Sequence, residues 1–128
     1  MNRILAIGLV ALAAGCTMAP AAGDVPVDRR VTLAADLADD VVVTDLRCVR
    51  GQSGHLELQA NVVNNLAEDR GVEWRIVWLD ASGLEIESVV SSTWAKRMIS
   101  PKDIAEIRCT APSEKAVDFR FHLRRLRR

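Results

Sequence analysis

The side chains able to do covalent or ligand chemistry in this 128-residue chain are few and scattered. The cysteines are Cys16, Cys48 and Cys109, and the histidines are His55 and His122. No C-x-x-C pair and no Cys/His pair at ligand spacing occurs, so neither a metal nor a redox centre is expected. Each histidine stands alone, without a serine, cysteine or carboxylate arranged nearby as an activated nucleophile, and both read as surface residues. Ser91-Ser92-Thr93 lacks the glycine-flanked turn of a nucleophile elbow. The expectation is a protein with no catalytic residue and no cofactor, hence not an enzyme.

Three other groups of residues invite a reading. Cys48 and Cys109 fall in phase with the apolar neighbours Leu46 and Ile107 on separate strand-like segments. In an oxidising compartment that parity suggests a buried disulfide, which would close a loop of about 60 residues and contribute roughly 4 kcal/mol. The alternative is two buried free thiols. Trp74, Trp78 and Trp94 suit core packing, with a ligand platform as the other reading; with no Tyr and two Phe, a multi-aromatic carbohydrate surface is poorly supplied. The C-terminal cluster of Arg124, Arg125, Arg127 and Arg128, with Arg120 upstream, is the strongest concentration of charge and the candidate contact surface. Apolar alternation stops there, so the tail is expected to project into solvent and to be dispensable for folding.

The elements that must position these residues read as strands. Val41 to Arg50 alternates, with Val42, Leu46 and Cys48 on one face and Asp45 and Arg47 on the other, and Gly51 to Gly54 break it. His55 to Asn65 sets Leu56, Leu58, Ala60 and Val62 against Glu57, Gln59 and Asn61. Gly71 to Asp80 alternates likewise, then Asp80-Ala81-Ser82-Gly83 supplies turn residues before a further strand over Leu84 to Val90. Ser91 to Lys102, with Trp94 and Pro101, reads as an irregular edge or connection. Asp103 to Ala111 and Ala116 to Arg124 are two more strands, the last placing Val117, Phe119, Phe121 and Leu123 on one face. A short strand at Val31 completes an all-β, antiparallel sandwich of about seven short strands.

Length and composition bound the rest. One domain fits, and 49% hydrophobic with 27% charged residues suits a folded body rather than a disordered chain or a membrane bundle. Formal net charge is zero, so nucleic acid is not an expected partner. At the N-terminus Arg3 precedes the apolar run Ile4 to Ala14, which is too short to span a bilayer and has the length of a signal-peptide core. The run ends in Leu12-Ala13-Ala14-Gly15-Cys16, which resembles the lipobox of bacterial lipoproteins, although Ala13 stands where Leu is commonest. That resemblance implies a signal peptide over residues 1–15 and a lipidated Cys16. Residues 16–30 then read as a flexible tether and residues 31–128 as the sandwich domain. Several acyl chains would make the anchor effectively permanent. In such lipoproteins Asp after the cysteine favours the inner membrane; Thr17 here implies the outer membrane, facing the periplasm.

One family resemblance rests on the domain itself. Leu37-Ala38-Asp39-Asp40-Val41, Gly71-Val-Glu-Trp-Arg-Ile-Val-Trp-Leu-Asp-Ala-Ser-Gly83, Trp94, Pro101, Ala111-Pro112 and Ala116-Val-Asp-Phe-Arg-Phe121 together resemble the YcfL-like family of bacterial lipoproteins, over roughly Val31 to Arg124. The resemblance implies an immunoglobulin-like β-sandwich in the cell envelope, and no catalytic residues. Cys48, Trp74, Trp78 and Cys109 follow the Cys, Trp, Cys order of immunoglobulin domains, with too long a first spacing. The functional expectation is a non-enzymatic envelope lipoprotein, anchored in the membrane, whose sandwich docks an envelope protein; the alternative is a binding protein for an envelope glycan or lipid.

Overall fold

The computed structural model of the chain describes residues 28–88 and 92–127. The alternating segments form seven strands: β1 (Val31–Leu33), β2 (Val41–Arg50), β3 (Leu56–Asn64), β4 (Arg70–Leu79), β5 (Ala95–Ile99), β6 (Ile104–Thr110) and β7 (Asp118–Arg125). They make two sheets, β1-β7-β4-β5 and β2-β3-β6, whose apolar faces meet in one core. The fold is thus the expected all-β sandwich. One pairing departs from antiparallel: β1 runs parallel to β7, with Val31 opposite Phe121 and Leu33 opposite Leu123. The two strands are far apart in sequence, so no hairpin dictates their direction.

The core follows from period-two alternation in β3 and β7. Leu58, Ala60 and Val62 from the small sheet pack towards Phe119, Phe121 and Leu123 from the large one, all buried. Trp78 meets Phe119 and Trp74 meets Phe121 edge to face, with ring centroids 6.2 and 6.3 Å apart. Each such buried large side chain contributes about 1.5–3 kcal/mol. Leu37, in the hydrogen-bonded turn between β1 and β2, is also fully buried and joins this core.

Two expected elements are exchanged. Among its described residues, the strand expected over Leu84 to Val90 is reduced to one isolated bridge, Leu79 to Glu85. The partner of β4 is instead Ala95–Ile99, a regular edge strand inside the stretch expected to be an irregular edge or connection. The cause is the Asp80 carboxylate: it accepts the N–H groups of Ser82 and Leu84 and closes a tight turn. Leu84 to Ser88 thereby lose the extended pairing that their alternation would allow. Arg97 of β5 then donates to the Glu106 carbonyl of β6, linking the edge strands of the two sheets.

A bulge in β2 corrects the face assignment there. Thr44 pairs with Asn61 but Arg47 with Gln59, so Asp45 and Leu46 together oppose Ala60. Asp45 takes the left-handed φ of 51° and accepts a hydrogen bond from the Asn61 amide. Val41 and Val43 consequently share the inward face with Val62 and Asn64, while Val42 faces out; beyond the bulge Leu46 and Cys48 face in.

Candidate functional site

Cys16 and Arg128 lie outside the described residues, as does Ser91. Cys48 and Cys109 do face the core, but both are free thiols, which corrects the expected disulfide. Each pairs with Leu58, one from either side of β3. They are therefore two strands apart in the same sheet, about 9–10 Å between backbones, beyond the roughly 7 Å that a disulfide can bridge. Burial raises both thiol pKa values, which keeps them protonated.

The histidines separate in role. His55 is half-buried with Nδ1 2.8 Å from the Ala111 carbonyl, so Nδ1 carries the proton and the ring ties β3 to the end of β6. His122 stands on β7 among cations. Trp74 and Trp78 are core residues, as alternation suggested, and Trp94 lies on the opposite, outer face of the large sheet. Among the described residues no three His, Cys, Asp or Glu side chains gather as metal ligands.

That outer face is where charge collects. Cross-strand register sets Arg75 of β4 beside His122 of β7, which in turn neighbours Thr32 of β1; Glu73 lies beside both Arg124 and Lys96, and Arg120 beside Val77. Residues that are paired across strands point to one face, so Arg75, Arg120, Arg124 and Lys96 share a surface with two carboxylates, Glu73 and Asp118. Arg124 Nε donates to Glu73 at 2.6 Å, and Arg120 reaches Asp118 at 3.0 Å. Trp94 lies across this cluster, its ring centroid 3.8 Å from the Arg124 guanidinium carbon and 5.0 Å from that of Arg75.

Glu73 is only 3% exposed although it lies on this outer face, where Arg124 is hydrogen-bonded to it. The Arg124 hydrogen bond holds its carboxyl below the usual range, against the upward push of desolvation. Burial lowers the His122 pKa, with Arg75 and Arg120 adding to the shift, so the ring is neutral near pH 7 and the arginines and Lys96 supply the positive charge. Among the described residues no carboxylate lies within ion-pair reach of Arg75, and its buried Nε has no hydrogen-bond partner. Guanidinium groups so placed take carboxylate or phosphate oxygens in forked geometry.

The expected arginine surface is therefore redrawn. Arg124 is committed to Glu73 and Trp94, and Arg125 sits in the sheet opposite Val72. The Leu126 N–H donates to the Gly71 carbonyl, with the Leu126 side chain lying over Gly71. Only Arg127 of the described tail residues is an exposed cation beyond the sheet. The tail does not simply project, because β7 continues pairing past the point where apolar alternation ends. Arg75 and Glu73 were missed by sequence reasoning; the signal available was their place on the polar side of β4, and only register brings them beside β7.

Comparison with known proteins places the fold in a family. A family model described as Protein of unknown function (DUF1425) matches residues 28–125. The crystal structure of Campylobacter jejuni cj0090 is similar, with a TM-score of 0.64 and 21% identity over 77% of this chain and 100% of that one. A crystal structure of a DUF1425 family member from Shewanella sp. pv-4 is similar with a TM-score of 0.60 and 18% identity, covering 66% of this chain and 76% of that one. No curated protein matches the chain.

Proposed function

This chain belongs to the DUF1425 family, and from that premise we propose that it is a non-enzymatic cell-envelope lipoprotein whose sandwich docks an acidic surface of an envelope protein through the outer face of its four-stranded sheet. The observation that carries this reading is Arg75, a cation held between strands beside Arg120, His122 and Arg124 without a carboxylate of its own among the described residues. A partner carboxylate supplies that missing counter-charge, and contacts made by rigid strands cost little ordering entropy. Anchoring through Cys16 in the outer membrane, with the domain facing the periplasm, is supported by the lipobox resemblance and by the likeness to YcfL-like lipoproteins.

The test places a photo-crosslinking residue at exposed Thr32, beside His122, in cells producing the full chain. A discrete protein adduct is expected, and it should vanish when Arg75→Glu and Arg120→Glu are combined. An adduct indifferent to charge reversal overturns the docking face, and an adduct with glycan or lipid alone establishes the other binding class. Cys16→Ser should move the protein out of the membrane fraction; retention there overturns the anchor.

A further inference from the structure

We propose that the concave outer face of the three-stranded sheet binds a small acidic sugar, one bearing a carboxylate or a phosphate. The hollow there has a volume of ≈ 440 Å³ and is lined by Arg47, Val49, Glu57, Gln59, Arg108 and Thr110 among others, a size within the range of small-molecule sites. It lies on the other sheet from the docking face and is independent of it.

The bulge in β2 builds this site. Arg47 has the parity of Val41 and Val43, and an uninterrupted strand would drive its guanidinium into the core. The extra residue at Asp45 reverses the parity and delivers Arg47 to the outer face, in line with Gln59 of β3 and Arg108 of β6. A non-glycine residue at φ 51° is an uncommon conformation, and bulges recur beside functional sites because they re-aim a side chain in this way.

The result is a row of two guanidinium groups flanking one carboxamide, the arginine backbones about 9–10 Å apart. Long side chains from either side converge on an anion seated above Gln59, whose amide also donates. Arg108 engages Glu106 through Nε, and two further nitrogens of a guanidinium remain able to donate. Among the described residues Arg47 has no carboxylate within ion-pair reach.

The adjoining row, Val49, Glu57 and Thr110, has a different chemistry. Glu57 leans over Gly51, where an added Cβ would lie 2.6 Å from its carboxylate oxygen, so acceptor and cations occupy opposite ends of the hollow. Glu57 and the Thr110 hydroxyl suit sugar hydroxyls, and exposed Val49 offers an apolar contact for a ring face. A ligand with an anion at one end and hydroxyls at the other matches this polarity.

The test titrates the full chain, held in detergent, with glucuronic acid, glucose 6-phosphate and neutral glucose, followed by NMR shifts of the protein. Millimolar binding is expected for at least one acid, the two acids separating carboxylate from phosphate recognition. Arg47→Gln and Arg108→Gln, both exposed positions that leave the core intact, should each weaken it at least tenfold. Lys115→Gln, in the turn before β7, should leave it unchanged. Glucose binding as well as the acids, an Arg47→Gln variant that binds normally, or no shift with either acid about tenfold above the millimolar range overturns the proposal.

Discussion

Asn64 offers the sharpest test of how the two sheets are joined. Its side chain is fully buried at the end of β3, and its Nδ2 group donates to the carbonyls of Glu68 at 2.8 Å, Ile99 at 3.0 Å and Ser100 at 3.1 Å. Its Oδ1 accepts the Leu66 N–H at 2.9 Å. One amide thus ties β3 of the small sheet to the end of β5 in the large one. Asn64→Asp keeps the shape and the Oδ1 acceptor but sets a second oxygen against three carbonyls.

At pH 7 the introduced group must either stay charged among carbonyls or take up a proton. Raising its pKa from about 3.9 to 7 costs roughly 4 kcal/mol, at 1.36 kcal/mol per unit. At pH 4 protonation is nearly free, and one O–H replaces a two-proton donor, leaving a cost of about 1–2 kcal/mol. The sign follows: the folded pKa is raised, so the folded state binds the extra proton and the deficit grows as pH rises from 4. Urea unfolding, followed by tryptophan fluorescence against wild type at each pH, should show a destabilisation of about 5–6 kcal/mol at pH 7, the sum of the two costs, shrinking to about 1–2 kcal/mol at pH 4. In melting temperature the pH 7 deficit is about 25–30 °C for a domain near 100 residues. A loss below about 1 kcal/mol at pH 7, or one that ignores pH, would refute the reasoning.

Three further outcomes are expected. Denatured but unreduced protein should have both Cys48 and Cys109 open to alkylation, slow to react while folded; thiols that appear only after reduction would contradict the cross-sheet geometry. Deleting Arg125 to Arg128 removes the Val72 pairing and the Leu126 contact with Gly71, so melting should reveal a loss of about 2 kcal/mol, and an unchanged midpoint would return the tail to solvent. The Arg30 hydrogen bond lowers the Asp28 pKa from 3.8 to about 2, a stabilisation present above pH 4 and lost as pH falls towards 2; carboxyl NMR should find Asp28 back near 3.8 in Arg30→Gln, and an unmoved value would break the assignment.

Much of the strand layout was legible because alternation is local. Leu56 to Val62 and Phe119 to Leu123 announce both strand type and buried face with no knowledge of a partner. The same logic misassigned Val42, since one bulged residue reverses parity and leaves no trace in hydropathy. It also credited Leu84 to Val90 with a strand that, among its described residues, Asp80 turns away, and it left Ala95–Ile99 inside an irregular edge or connection instead of a paired edge strand. The arginine cluster at the C-terminus was visible as charge, but its sharing between Glu73, Trp94 and the sheet was not.

By itself, the sequence determined an all-β domain and most of its core, because side-chain direction along a strand repeats every two residues whatever the strand pairs with. Only the tertiary structure decided which strands became neighbours. That choice set Cys48 and Cys109 on either side of Leu58 instead of across the sandwich, Arg75 beside His122, and Arg47 in line with Arg108. Each of these neighbourhoods depends on hydrogen-bond register between segments distant in the chain, and a one-residue slip or bulge turns every later side chain to the opposite face.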